Sequence, residues 1–168
     1  MRNGALRLHG PLPIAPAPCP DEYLSGWLER VGATYKLSRW ELLTLIRNAC
    51  GHPLARTDRE LSTAPAADDI AAIAHYTRQP YETIAALTLA KRRPLWTSAD
   101  MACVTANPHA LHPSPYCRLC LARDIANNRP AHFRTDWLSA FAFRCPVHGI
   151  ALDHGWYVGQ KSGRSGHR

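Results

Sequence analysis

Apolar positions recur at helical spacing twice within the first fifty residues. In "DEYLSGWLERVGATYK", Leu24, Trp27, Leu28 and Val31 fall on one face of a helix expected to run from about Asp21. Asp21 and Glu22 would stand at its start, where the helix dipole favours acidic side chains. A turn around Lys36 and Leu37 leads into "SRWELLTLIRNACG". There Ser38 and Glu41 have capping-box spacing, Gly51 is a C-terminal stop, and Leu42, Leu45, Ile46 and Ala49 form the buried stripe. Residues 52–66 read as loop. "ADDIAAIAHYT", with Asp68 and Asp69 at a capped start, predicts a third helix, and "PYETIAALTL", with Pro80 at or just before its first turn, a fourth.

Two helices joined by so short a turn fit a helix-turn-helix, though on spacing alone an ordinary helical hairpin in a core is the commoner source of the pattern. As a DNA-reading unit, the second helix would present Arg39, Trp40, Thr44 and Arg47. Beyond "KRRPLW" the helical pattern stops, and from Cys117 onward the elements become short. The expected organisation is an extended arm over 1–19, a helical helix-turn-helix region over 20–96 and an irregular linker over 97–116. A zinc-binding module over 117–158 and a disordered polar tail over 159–168 complete it. The expected fold class is therefore mainly α, with a small zinc-finger module after the helices.

Composition narrows the class of partner. The 168 residues carry a formal net charge of +7, which suits a polyanion. The charge is uneven: residues 20–90 hold seven Lys/Arg against nine Asp/Glu, a balance of −2, so the basic surplus lies in the N-terminal arm and beyond residue 90. Lys91, Arg92, Arg93, Arg118, Arg134 and Arg144 are the candidate nucleic-acid contacts. Arg118, Arg123, Arg129, Arg134 and Arg144 interleave with Phe133, Trp137, Phe141 and Phe143, a mixture that suits nucleic acid or, for most of the aromatics, a module core. The N-terminal stretch lacks the apolar core of a signal peptide, and no run approaches the ~18 apolar residues of a membrane span, so a cytoplasmic setting with reduced thiols is expected.

In such a setting paired cysteines read first as metal ligands. "CRLC" supplies Cys117 and Cys120, and "CPVH", after 24 intervening residues, supplies Cys145 and His148. Two tight turns brought face to face would offer three sulfurs and one nitrogen, a donor set that selects zinc over magnesium or calcium. Four protein ligands close the coordination sphere, so one structural Zn2+ is expected and no activated water. A nucleobase deaminase would need an H-x-E beside its P-C-x-x-C. None of the nine histidines has Glu two places on, and Tyr116 displaces Pro115. A thioredoxin-like dithiol would need a βαβ pattern that is missing, and no G-x-S-x-G or phosphate-binding glycine loop occurs. Cys103 is the one substitute ligand to consider, Cys50 reads as a small buried hydrophobe and Cys19 as a free thiol in the arm. His109, His112, His132 and His154 read as loop or surface residues, with His132 or His154 as candidate outer partners of the site.

The proline-spaced arm leading to "DEYLSGWLERVGATYKLSRWELL", the "IAALTL" helix end and "CRLCLARD…HFRTDWLSAFAFRCPVHGIALDH" together resemble the TniQ family of transposition target-selection proteins. The resemblance implies a helix-turn-helix region joined to a zinc finger, with Cys117, Cys120, Cys145 and His148 as the ligands. It further implies a non-enzymatic adaptor, nucleoid-associated in a bacterium, that connects a target-recognition module to an AAA+ ATPase. In CRISPR-associated systems that module is an effector with its guide RNA, and DNA is a further partner. A homodimer is left open. Family members commonly continue into a second C-x-x-C finger; here Leu152-Asp153-His154 is followed by no cysteine, which favours service to an RNA-guided complex. The alternative from another class is a stand-alone sequence-specific helix-turn-helix regulator.

Overall fold

The computed structural model describes residues 8–51, 54, 61, 65–89, 115–138 and 142–154. It is mainly helical, with five α-helices among the described residues: α1 (Leu24–Thr34), α2 (Arg39–Cys50), α3 (Ala67–Thr77), α4 (Tyr81–Ala86) and α5 (Arg118–Ala126). The only sheet among them is one antiparallel pair, β1 (Pro115–Tyr116) with β2 (Asp153–His154), in the register Pro115 opposite His154. No described helix is long and apolar enough to cross a membrane.

The helical stripes fall where the pattern puts them. Leu24, Trp27, Leu28 and Val31 of α1 and Leu42, Leu43 and Ile46 of α2 are buried in one cluster with Ile70 and Ile73 of α3 and Ile84 of α4. Ala49 lies at the margin, half-buried. Leu54 and Leu61 join the same cluster, so part of the expected 52–66 loop packs inward. The Ser38 and Glu41 capping box forms, with Glu41 N donating to Ser38 Oγ at 3.3 Å and Ser38 N to Glu41 Oε2 at 2.7 Å. Gly51 ends α2 in the left-handed region at φ 76°. Pro80 stands just before α4, and Asp69 reaches back from α3 to accept from Ala66 N at 3.2 Å.

The start of α1 differs from expectation. The helix begins at Leu24, and neither Asp21 nor Glu22 lies in its first turn. Both carboxylates are taken by cations outside the first turn of α1. Glu22, fully buried, accepts from Arg30 Nε and Nη2 at 2.7 Å each, and Asp21 pairs with residues more than a hundred positions away. Two charge-assisted ion pairs outweigh the few tenths of a kcal/mol, or about 1, that a helix terminus offers.

The arm is extended but docked. Leu12 is buried in the helical cluster and its N–H donates to Tyr76 O at the end of α3 at 2.7 Å. Trp27 Nε1 holds Pro16 O at 2.8 Å, and Tyr35 Oη donates to Ile14 O at 2.6 Å.

Three helices end in a residue forced into the left-handed region: Lys36 (φ 58°), Arg78 (φ 55°) and Asn128 (φ 53°). After α1, Leu37 N bonds Gly32 O at 3.0 Å and Lys36 N bonds Ala33 O at 3.1 Å, the paired closure of a Schellman turn. A left-handed residue with a Cβ costs roughly 1–2 kcal/mol, and glycine offsets part of its own gain through roughly 0.5–1 kcal/mol of extra chain entropy. Lys36→Gly is therefore expected to raise stability by about 0.5–1 kcal/mol, read as a higher denaturant midpoint at unchanged slope.

Candidate metal centre and its junction with the helices

The C-terminal module is assembled around cysteine. Cys117 is the residue just before α5 and Cys120 sits in its first turn, so the first pair of ligands comes from a helix N-terminus and not from the free-standing tight turn expected. That placement sets both sulfurs beside the N-terminus of α5. The second pair lies on a hairpin. Cys145 N bonds Ile150 O at 2.8 Å, Leu152 N bonds Phe143 O at 3.0 Å, and Gly149 N bonds Cys145 O at 2.8 Å. Gly149 turns the chain at φ 66°, which returns it after His148 and leaves Cys145 and His148 on the same side.

The four donor atoms lie within 4.8 Å of one another. His148 Nδ1 is 3.5 Å from Cys117 Sγ, 3.3 Å from Cys120 Sγ and 3.6 Å from Cys145 Sγ, and Cys120 Sγ to Cys145 Sγ is 3.6 Å. A tetrahedron with metal–sulfur bonds of about 2.3 Å and a metal–nitrogen bond of about 2.0–2.1 Å has edges of about 3.8 and about 3.6 Å. The donor set fits, and the cluster could hold one metal ion. All three cysteines are buried and unoxidised, and His148 is half-buried.

The thiols are strongly differentiated. Burial and the hydrogen bond it donates to Cys145 push Cys120 up to about 12. Burial opposes the Cys145 thiolate as well, but the backbone N–H groups of His148 and Val147, with His148 and Cys117 beside them, bring it down to about 6. One sulfur is thus prepared as an anion while its neighbour holds a proton that a metal must displace.

Trp137, Leu121 and Leu152 are buried against the three cysteines, with Phe133 packed at the edge; these aromatics are module core, whereas Phe143 is 69% exposed. Phe141 and Cys103 lie outside the described residues, as do Lys91, Arg92, Arg93, His109 and His112. Arg118, Arg123, Arg129 and Arg144 are exposed, with Arg144 Nη1 donating to Gly149 O at 3.1 Å.

Arg134 is not the free phosphate contact expected of it. Its guanidinium is only 11% exposed, donates from Nη2 to both oxygens of buried Asp124 at 2.8 and 2.7 Å, and meets Asp21 Oδ2 from Nε at 3.0 Å. It lies over the Trp137 ring at 5.1 Å. Arg39 is likewise no exposed reader. It is 3% exposed, pairs with Glu29 at 3.8 Å and stacks on Trp40. The exposed face of α2 is left with Trp40, Glu41, Thr44 and Asn48, and half-buried Arg47 is tied to Thr44 at 3.0 Å.

Sequence reasoning missed Asp21, Asp124 and Thr135, which join the module to the helices. Thr135 N and Oγ1 both donate to Asp21 O, at 2.8 and 3.0 Å, and Glu22 bridges to Arg134 through the backbone. Tyr23, Leu89 and Leu138 bury together beside it, and a Cβ on Gly26 would lie 3.1 Å from Phe133 Cβ, a contact tight enough that the module would have to give by a few tenths of an ångström. The available signal was phase: Asp124 follows Cys120 by four residues on a helix, which marks a carboxylate on the buried side that must be paired.

His132, read from sequence as a surface or outer metal partner, belongs to this junction. Its Nε2 donates to Asp21 Oδ1 at 2.6 Å and its Nδ1 to Pro130 O at 3.0 Å. Two acceptors require the imidazolium form. Burial disfavours that charge, yet the bonds to Asp21 and Pro130 outweigh it and raise His132 above its ordinary 6.5. The same bond, against some opposing burial, lowers Asp21 below its ordinary 3.8. Stability from His132 is full below pH 6.5 and is lost as pH rises through its raised value; that from Asp21 is full above pH 3.8 and is lost as pH falls through its lowered value. Between pH 5.5 and 8.5 the melting temperature should therefore fall more for the native chain than for His132→Gln, which has no charge to lose.

The described structure is that of a small helical protein tied to a cysteine–histidine cluster that could hold one metal ion. A family model described as TniQ matches residues 13–152, most of the chain, and the protein belongs to the TniQ family, which implies a transposition-associated adaptor role. No curated protein and no solved structure matches it.

Proposed function

We propose that the chain is a non-enzymatic adaptor in DNA transposition that links a target-recognition complex, an RNA-guided CRISPR effector, to the AAA+ ATPase that recruits the transposase. The observation that carries this reading is the family match over residues 13–152, which ends only after the last residue of the metal centre. A Cys3His set fills all four positions of one Zn2+, so the metal here acts as scaffold, with Cys117, Cys120, Cys145 and His148 as its ligands. The near-neutral helical region serves protein partners and the basic C-terminal half, through Arg118 and Arg144, approaches DNA or guide RNA in the bacterial cytoplasm.

The test is reconstitution. With ATPase and effector present, the chain should bridge the two in a pull-down that neither partner achieves without it. Charge reversal of Arg118 and Arg144 should weaken nucleic-acid association of the complex by about tenfold or more, and reversal of Arg47 should not. Tight, sequence-selective DNA binding by the chain alone would favour the stand-alone regulator instead. The buried Arg39 weighs against that outcome, because a reading helix needs its cations free.

A further inference from the structure

Helix α5 meets the rest of the protein along a narrow strip. Of its nine residues only Cys120, Leu121 and Asp124 are buried; Arg118, Leu119, Ala122, Arg123, Ile125 and Ala126 are exposed, and the chain stays exposed through Pro130. The helix therefore stands proud of the module. At about 100° per residue, Leu119, Ala122 and Ala126 run along the crown opposite the buried strip. Arg118 falls on one flank of that crown and Arg123 on the other, about 140° apart around the axis.

The charge on this side has one sign. Arg118, Arg123 and Arg129 are exposed, and Asp124, the only carboxylate in residues 115–134, is turned inward and bonded to Arg134. A second copy of the chain would bring the same cations to the face and be repelled. The complementary partner is anionic on both sides of the helix and leaves space between for a crown of short side chains. An acidic protein surface would meet the crown from one side only, whereas arginines turned so far apart are served by two walls.

We propose that α5 lies in the major groove of a DNA duplex, with Arg118 and Arg123 on the phosphates of opposite strands. This rests on the reading of the basic C-terminal half as the nucleic-acid side of the adaptor; it names the element that makes contact and chooses duplex DNA. A helix with its side chains is about 10–12 Å across, and the major groove of B-DNA is about 12 Å wide and about 8.5 Å deep. A phosphate backbone runs along each wall. Ala122 and Ala126 are short enough to let the helix sit deep, and Ile125, beside Arg118, would meet the sugars. No side chain of the crown carries a donor or acceptor, so apolar contact with thymine methyl groups is the only base contact it can make. Binding therefore tolerates sequence, which suits an adaptor whose target is chosen by another component. Duplex RNA does not fit, because its major groove is too deep and narrow to be entered.

The full chain tests this against labelled duplexes, with affinity read by fluorescence anisotropy at low salt. Arg118→Glu and Arg123→Glu should each weaken binding to a DNA duplex by about tenfold or more, since each removes a phosphate contact. Ala122→Trp leaves the charge unchanged and places its bulk at an exposed position, so the fold is kept and only entry to the groove is blocked. It should weaken binding by a similar factor. Unrelated DNA sequences should bind within about threefold of one another, and an RNA duplex more weakly by about tenfold or more. Guanine N7, which faces the major groove, should be protected from methylation in the native complex. Native-like binding by Ala122→Trp with guanine N7 unprotected would overturn the proposal, because charge alone would then explain the affinity. So would a loss at Arg118 with none at Arg123, or equal affinity for duplex RNA. Equal affinity for an acidic polypeptide of matched length would overturn it as well and make α5 a protein-docking face. A native chain that binds neither DNA nor RNA contradicts the nucleic-acid reading of the C-terminal half itself, a result distinct from a chain that binds DNA by another surface.

Discussion

A Cys120→Ser chain is expected to lose its metal and, with it, the fold of residues 115–154, while the helices from Leu24 to Ala86 persist. The module has little else to hold it. Its buried cluster is three cysteines, Leu121, Trp137 and Leu152, and its sheet is a single two-residue pair. Structural zinc contributes about 10–16 kcal/mol in small peptides of this kind, against about 5–15 kcal/mol of stability for a whole domain. Serine keeps the volume of cysteine but supplies no thiolate. The helical region has its own core around Trp27, Leu28, Leu42, Ile46 and Ile73, so it should survive. Metal analysis together with residue-resolved hydrogen exchange reads both halves at once.

Trp27→Ala should be the most damaging change on the helical side, at about 3–5 kcal/mol. The indole is fully buried at the centre of the helical cluster, and its Nε1 holds the arm through Pro16 O at 2.8 Å. Removing it opens a cavity and orphans that carbonyl together. Trp27→Phe separates the two effects, because it retains most of the apolar volume and removes the N–H. Urea unfolding should place Phe between native and Ala, and limited proteolysis should cut the arm near Pro16 in both variants.

Local features were legible in the sequence. The stripe of α1, the Ser38 and Glu41 cap, the stop at Gly51 and the paired ligand spacing all depend on residues within a few positions of one another, and each is found where expected. Departures arise where one residue answers another beyond the reach of a single helical turn. Asp21 and Glu22 suit a helix start, but Arg30, His132 and Arg134 offer stronger partners. Arg39 and Arg134 carry charge that composition assigns to the surface, yet each meets a carboxylate that lets it be buried. The phase of Asp124 on its helix marks one such carboxylate as buried, but nothing local names its partner. Leu12 and Pro16 show the same limit: a proline-spaced arm reads as extended, which it is, but its docking depends on Tyr76 and Trp27.

The central claim is that the cysteine–histidine cluster is a closed structural metal centre, and X-ray absorption on the zinc-loaded chain tests it most directly. Three sulfurs at about 2.3 Å and one nitrogen at about 2.0–2.1 Å, with one zinc per chain and no oxygen ligand, is the predicted result. A bound water in place of a protein ligand, or a fully folded chain that carries no metal, would contradict it.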